Sequence, residues 1–501
     1  MTEPAPVLTF REGLTLVEVG GEVTLSSRSQ SVPLRRVTPG LLAAFRSLAA
    51  EGATADELAA AVESADTASS LPVLFFYLQK LESLGLFCFS ARVAGVLAAT
   101  LTPSPVVDST RRRVAPVTPE PHQRHELSRF ALLRRDGARF VAESPLGRGR
   151  VVFHDPRALA VCHALAEPRT LAELSALLPE APVVLALLLG AAVATAVAPD
   201  VATTPSSGAL PPGEGAALAM WSFHDLLFHT RSRWGRNTEP AGATFRFAGQ
   251  IEPLPALRPP AGRAEGAVST APSPPSRIAL HRPDIDALRA ADIPFTRVLE
   301  DRTSIRAHGE TPIHVRQLGE LLFRAARVRS LGTSTGGVPY PTTNRPYASG
   351  GACYELETYL VVHSCEGLAP GLYHHDPLDH ALTPLSGRTP ATDTLLAGAR
   401  AAMLAPAPPQ VLLVWAARFG RVLWKYESTA YATILKDVGS LLQTVYLVAT
   451  AMDLAPCALG CGDSDLFAEA AGLDYLAETS VGEMALGSRA PRAPVSPPEG
   501  T

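Results

Sequence analysis

Two stretches of this chain, about 116 residues apart, run through the same series of folding signals. In the first, Thr38-Pro39 sets an N-cap residue before a proline at the first helical position. Thr54 and Glu57 then form a capping-box pattern ahead of DELAAAVES. In the second, Asp155-Pro156 and the pair Thr170 and Glu173 repeat both signals. Leu42 matches Leu159, Leu48 matches Leu165, and Leu58 matches Leu174, with one single-residue gap. A third apolar helix follows each time, LPVLFFYLQKLESLG up to Gly85 and the segment 182–192. Short strands are expected at 7–10, 13–18 and 22–26 around Gly20-Gly21, and at about 127–135 and 138–143 around Asp136-Gly137. Strands, three short helices and a closing strand (LFCFS in the first copy) make a small winged-helix-like module, present twice, over 1–95 and 126–200.

At 501 residues the chain exceeds one compact core, and about three domains are expected. Its 45 prolines cluster between the periodic segments. They mark a linker at 96–125, which carries Arg111-Arg112-Arg113, and flexible stretches at 201–215 and 257–277. Residues 201–280 thus read as linker and helical extension, with an amphipathic helix in MWSFHDLLFHTRSRWGRN. The helix's His224 and His229 stand five apart, off the metal-binding spacing of four. Residues 491–501 read as a flexible tail.

With 44 basic and 48 acidic residues there is no electrostatic footprint for nucleic acid, and the third helix of each module has almost no Arg or Lys. A peptide or protein partner added at a sheet edge suits such modules better. Six scattered cysteines, of which only Cys457 and Cys461 are close, complete no metal site and fit a reducing cytoplasm. The N-terminus lacks a basic region followed by an apolar core, so no signal peptide is expected. The apolar run 182–198 is short for a membrane span and reads as a buried helix running into a strand.

Residues 281–490 mix strands (357–363, 410–417, 480–486) with helices (315–328, 392–403, 427–450, 463–472). Arg302, Ser304 and Arg306 place two guanidinium groups and a hydroxyl where a phosphate would be held. Ser349-Gly350-Gly351 lets backbone approach a flat ligand or phosphate, but it follows no expected strand and fits no dinucleotide fingerprint. Leu459 and Gly460 lie in a third stretch of small residues. The pair Lys425-Tyr426 sits at the head of the long apolar helix, where two proton-transfer groups suggest base chemistry near a cofactor.

Taken together, RTSIR (302–306), RPYASGGACYELETYLVV (345–362), GLAPGLYHHDPLDHAL (367–382), WKYES (424–428) and YATILKDVGSLLQTVYLVATAMDLAPCALG (431–460) resemble the flavin-dependent nitroreductase superfamily. Within it they most resemble the SagB-type azoline dehydrogenases of ribosomal peptide maturation. The resemblance implies an α+β, FMN-binding C-terminal domain behind the two winged-helix-like modules, dimerising with each flavin at the subunit interface. By position it implies that Arg302, Ser304 and Arg306 hold the FMN phosphate and ribityl chain. Ser349, Gly350 and Gly351 would line the flavin, Leu459 and Gly460 would lie near its ring, and Arg489 would be a further phosphate ligand. Ala348 stands where the branch often has proline.

Lys425 and Tyr426 match the pair that the branch uses beside the flavin. The implied reaction is oxidation of peptide thiazolines or oxazolines to azoles, one proton going to a base and a hydride to the flavin. A lysine base needs desolvation or a neighbouring cation to lower its pKa. The modules would then bind the leader of an azoline-containing precursor peptide or dock the pathway's cyclodehydratase. A nitroreductase acting on another small or amino-acid-derived substrate, and a leader-binding scaffold with no catalysis, are the competing expectations.

Overall fold

The computed structural model describes residues 5–20, 22–26, 31–66, 70–103, 114–197, 216–237, 240–259 and 277–490. The expected flexible segment 201–215, the arginine run 111–113 and the tail 491–501 lie outside them. Two compact units divide the chain, at 1–241 and 242–501.

The N-terminal unit opens with strands β1 (Val7–Phe10), β2 (Thr15–Val19), β3 (Glu22–Ser26) and β4 (Ser31–Leu34). Helices α1 (Pro39–Ala49), α2 (Ala55–Ala65) and α3 (Leu71–Ser83) follow, then β5 (Phe87–Val93) and β6 (Val96–Pro103). Thr38 caps α1 by accepting from the Leu41 amide, and Thr54 and Glu57 form the expected capping box on α2. The second copy runs β7 (His125–Leu127), β8 (Leu132–Asp136), β9 (Arg139–Glu143) and β10 (Gly149–Phe153). It continues through α4 (Pro156–Ala164), α5 (Leu171–Leu177), α6 (Ala181–Gly190) and β11 (Ala194–Ala196). Asp155 caps α4, and Thr170 with Glu173 forms the second capping box. The apolar run at 182–198 is the expected buried helix leading into a strand. Among the described residues no helix is long and apolar enough to cross a membrane. Two short helices, α7 (Ala216–Ala219) and α8 (Phe223–Arg231), close the unit.

The two modules are not beads on a linker. Strand β6 occupies the first eight residues of the expected linker and pairs antiparallel with both β5 and β10. One sheet, in the order β1-β5-β6-β10-β9-β8, therefore runs through both copies. Its alternate residues Ala99 and Leu101 enter the core beneath α6 with Val151, Leu185 and Leu188.

The C-terminal unit begins at 242, not near 281. It contains β12 (Ile278–Ala279), α9 (Ile285–Ala291), α10 (Phe295–Asp301), α11 (Val315–Ala326), and the hairpin β13 (Ser330–Thr333) and β14 (Pro341–Asn344). Next come β15 (Leu356–Val362), β16 (Gly371–Asp376), β17 (Ala381–Gly387), α12 (Pro390–Met403) and β18 (Val411–Arg418). The unit ends with α13 (Phe419–Leu423), α14 (Ala430–Ala451), β19 (Leu454–Ala458), α15 (Ser464–Ala471) and β20 (Glu478–Ser488). Its seven-stranded antiparallel sheet has the order β12-β17-β16-β15-β18-β20-β19. Every residue of the central strands β15 and β18 is buried, because both faces are covered. Leu360, Leu413 and Trp415 pack with Leu321 of α11 and Ile434 and Leu441 of α14. Tyr359, Val361, Leu412 and Val414 pack on the other face with Leu396 of α12 and Phe467 of α15.

If β6 is the seam of the N-terminal unit, Leu101→Ala should lower stability by about 2–5 kcal/mol in chemical denaturation. Val96→Ala, at the exposed end of the same strand, should change it by less than about 0.5 kcal/mol.

Candidate active site

The site is organised on α14, 22 residues or about 33 Å long. Thr433, Asp437 and Ser440 recur at i, i+4 and i+7 and so share one face. That face receives the Ser-Gly-Gly loop. Asp437 accepts from the Gly350 amide at 2.9 Å and from the Ser349 hydroxyl at 2.8 Å, and the Ala348 amide donates to Ser440 Oγ at 3.1 Å. A Cβ at Gly350 would stand 2.3 Å from Thr433 Cγ2, so the close approach requires glycine. The loop does follow a strand, β14, which its sequence did not announce.

Beneath the loop Glu355 is fully buried beside Asp437. Burial and the Asp437 charge push the Glu355 carboxyl up to about 8. Burial also raises Asp437, against the pull of the Gly350 amide. Both carboxyls therefore favour their neutral form more than free carboxyls do.

Gly351 takes a left-handed backbone (φ +62), and a Cβ there would lie 2.3 Å from Lys425 Nζ and 2.5 Å from the Tyr426 hydroxyl. The loop thus presents bare backbone to the Lys-Tyr pair. Lys425 Nζ donates to the Tyr340 hydroxyl and, at 3.4 Å, to the Gly351 carbonyl. The Tyr340 hydroxyl also donates to that carbonyl. The ammonium lies 4.6 Å from the Tyr340 ring centre, 5.0 Å from that of Tyr426 and 5.9 Å from that of Phe245, which makes an aromatic cage.

Two expectations about the pair need correcting. It does not sit on the long helix. Ser428, in a left-handed conformation (φ +58), separates it from α14, and it follows the short helix α13. Nor does desolvation prevail at Lys425. Burial pulls its pKa down, but the hydrogen bond to Tyr340 and the two nearby phenols outweigh burial and raise it. The resting side chain is an ammonium. Burial raises Tyr426 as well, despite the adjacent Lys425.

The arginine cluster assembles around Tyr446, two and a half turns further along α14. The hydroxyls of Ser304 and Tyr446 are 2.8 Å apart, and Tyr446 accepts from the Ala458 amide at 2.7 Å. The Arg302 guanidinium lies 5.3 Å from the Tyr446 ring centre. The Ile305 amide donates to the Pro456 carbonyl. Ser304 and Ala458, the residue before Leu459-Gly460, are therefore tied together. Among the described residues neither Arg302 nor Arg306 pairs with a carboxylate. Arg489 lies beside His308 in the backbone, but its guanidinium is paired with Asp453 at 2.8 Å. The Leu459 amide donates to the Glu483 carbonyl, and space is open around Gly460.

Several functional residues had no signal in the sequence. Phe245 comes from the expected linker, whose residues 242–259 lie against the C-terminal unit's own site. The Phe245 amide donates to the Lys425 carbonyl, the Trp424 indole to the Ile251 carbonyl, and Arg421 to the Leu254 carbonyl. Tyr340, Glu355 and Tyr446 are single residues of common type; only the fold brings them to the motifs.

The chain is similar to several known proteins. Residues 299–488 match the sequence model of the Nitroreductase family, 5–109 that of the ThcOx helix turn helix domain, and 125–238 that of the cyanobactin oxidase ThcOx. MJ1384 of Methanocaldococcus jannaschii, named as a nitroreductase, is 28% identical over 36% of this chain and 81% of its own. The microcin B17-processing protein McbC of Escherichia coli is 33% identical over 23% of this chain and 43% of its own. Among solved structures, a nitroreductase from Ralstonia eutropha JMP134 aligns at a TM-score of 0.34 and 22% identity, covering 51% of this chain and all of that one. A chain of the E. coli McbBCD microcin synthetase complex with truncated pro-MccB17 aligns at 0.31 and 22%, covering 52% and 90%. The C-terminal unit carries a nitroreductase-family oxidoreductase domain behind ThcOx-type modules. The chain is of the SagB/McbC type within the nitroreductase superfamily.

That family implies a flavin, and the residues fit one: two arginines free of carboxylates beside a hydroxyl, and a glycine loop that bares its backbone.

Gly351→Ala should leave the chain folded but cut turnover by at least about tenfold, since the methyl displaces Lys425 and Tyr426; unchanged turnover would show that the pair is not held by this loop. The buried carboxyl pair predicts a pH effect. Glu355 has a folded pKa above its unfolded one, so its stabilising contribution is complete below the ordinary carboxylate range and is lost as pH rises through about 8. Between about pH 5 and pH 8 the wild-type protein should lose stability relative to Glu355→Gln. Parallel stability curves for the two proteins would show Glu355 to be ionised in the fold.

Proposed function

We propose that this chain is an FMN-dependent azoline dehydrogenase, which oxidises thiazolines or oxazolines in a ribosomally made precursor peptide to azoles. The observation that carries this reading is the caged Lys425, with Tyr340 and Tyr426, over the bare backbone of Gly351 in a nitroreductase-family domain. Arg302, Ser304 and Arg306 would hold the FMN phosphate, with Arg489 a lesser contributor because Asp453 already answers its charge. Ser349, Gly350 and Gly351, with Leu459 and Gly460, would line the ring system. Bound there, the flavin supplies a two-electron acceptor for hydride.

Aromatising an azoline breaks one ring C–H bond as a proton and a second as a hydride, and forms one carbon–carbon double bond. The chain's task is the proton. Lys425 as an ammonium can donate a hydrogen bond to the azoline nitrogen and make the neighbouring C–H more acidic. The proton then passes to Tyr426 in its deprotonated form, while Lys425 keeps its own proton. Because Tyr426 is raised, that form becomes populated only as pH rises. Aromatic rings line the ammonium on the Tyr340 and Phe245 sides.

The likeness to the microcin B17-processing protein McbC supports a peptide substrate, and the family resemblance adds a cyclodehydratase as partner. We place the chain in the cytoplasm as a homodimer, following its family resemblance.

The purified protein should carry flavin absorption and remove about 2 Da per ring from an azoline peptide. Rate should climb with pH without a plateau below about pH 9, and Lys425→Ala or Tyr426→Phe should lower it about 10²-fold. A colourless protein that binds no added FMN, or full turnover in Lys425→Ala, would overturn the assignment. Rapid nicotinamide-dependent reduction of a nitroaromatic with no action on azolines would indicate the other enzymatic reading.

A further inference from the structure

Arg421 is a buried cation on α13, four residues before Lys425 and 5% exposed. Among the described residues no carboxylate pairs with its guanidinium. A cation buried without a counter-charge is costly unless hydrogen bonds replace its water. Here backbone carbonyls supply them. Nε and Nη2 donate to the Cys353 carbonyl at 2.8 and 2.6 Å. Nη2 also donates to the Pro341 carbonyl at 2.9 Å, and Nη1 to the Leu254 carbonyl at 2.6 Å. Burial pulls the Arg421 pKa down to about 10, so the group stays charged at neutral pH.

The three carbonyls belong to three separate stretches of chain, and each stretch delivers one neighbour of the Lys425 ammonium. Pro341 follows Tyr340, whose hydroxyl accepts from Lys425 Nζ. Cys353 lies two residues beyond Gly351, whose carbonyl accepts from Lys425 Nζ at 3.4 Å and from the Tyr340 hydroxyl. Leu254 belongs to the segment that carries Phe245, whose ring centre is 5.9 Å from the ammonium. That segment has further fasteners: Trp424 donates to Ile251, and Glu427 binds Gly242 and Thr244. The hairpin and the glycine loop instead meet on a single nitrogen, Nη2 of Arg421. A planar guanidinium holds its donors in a fixed fork and reaches all three carbonyls, where an amide has one donor nitrogen and cannot.

We infer that Arg421 is the positioning residue of this site: its guanidinium fixes the Tyr340 hydroxyl and the Gly351 carbonyl relative to each other, and thereby sets the hydrogen bonds that Lys425 makes. The groups that act on the Lys425 charge are Tyr340 from the hairpin, Tyr426 beside it and the Cys353 thiol. Burial pushes that thiol up to about 12, so it is neutral at working pH. Against burial, which lowers Lys425, the Tyr340 hydrogen bond is the foremost influence that raises it. Loosening the Arg421 fork therefore lets Lys425 lose its proton at lower pH. The catalytic meaning of this role rests on the azoline dehydrogenase reading.

The test is competitive labelling of the full chain with trace acetic anhydride between about pH 7 and pH 11, read by peptide mass spectrometry. The chain has three lysines, and the exposed Lys80 and Lys436 serve as internal references. Arg421→Gln should raise Lys425 acetylation at about pH 8.5 at least threefold against those references, and move its midpoint to lower pH. Tyr340→Phe should do the same. The double variant should exceed neither single one, because both changes remove the same hydrogen bond. Unchanged Lys425 acetylation in Arg421→Gln, or effects that multiply in the double variant, would overturn the inference. Arg421→Met repeats the test where Arg421→Gln does not fold. Failure of both to fold would overturn it too, by making Arg421 a residue of the fold rather than of the site. The labelling needs no turnover, so the two proposals fail separately. A chain that shows the shift but oxidises no azoline sinks the catalytic proposal alone. A chain that oxidises azolines without the shift sinks the role of Arg421 alone.

Discussion

The carboxylate of Asp437 is the contact on which the candidate site depends. It gathers the Gly350 amide and the Ser349 hydroxyl onto one face of the longest helix. A buried charge is costly unless it is engaged, and Asp437 meets that demand with donors from the loop. The loop is thereby held at a height where Gly351 can meet Lys425 and Tyr426 without side-chain atoms between them. Helix, loop and proton-transfer pair form one structural unit, and the arginine cluster joins the same helix through Tyr446.

Around that unit the protein supports Lys425 more as a cation than as a free base. Three aromatic rings stand around its ammonium, and the hydrogen bond to Tyr340 with the nearby phenols outweighs desolvation. The resting lysine is therefore a hydrogen-bond donor rather than a proton acceptor. The Phe245 ring brings the segment 242–259 directly into the candidate site.

Much of the local structure was legible. The capping boxes at Thr54 and Thr170 and the proline starts at Pro39 and Pro156 form as expected because their hydrogen bonds close within four residues. The cores of β15, β18 and β20 were readable from their apolar runs. Strand β6 was not. VLAATLTP precedes a proline- and arginine-rich stretch, and its partner β10 lies some fifty residues away. The break before α14 was also hidden, since Ser428 adopts a left-handed turn without a glycine or proline to announce it.

The sequence by itself determined the repeat, the helix starts, the glycine loop and the family pattern of Arg302, Ser304, Arg306, Lys425 and Tyr426. These depend on residue type and short spacing. Only the tertiary structure decided which groups share a site: Asp437 with Gly350, Tyr446 with Ser304, Tyr340 and Phe245 with Lys425. It also decided that β6 joins the two modules in one sheet, by pairing with both β5 and β10. Such pairings join residues tens to nearly two hundred positions apart, and no local propensity encodes them.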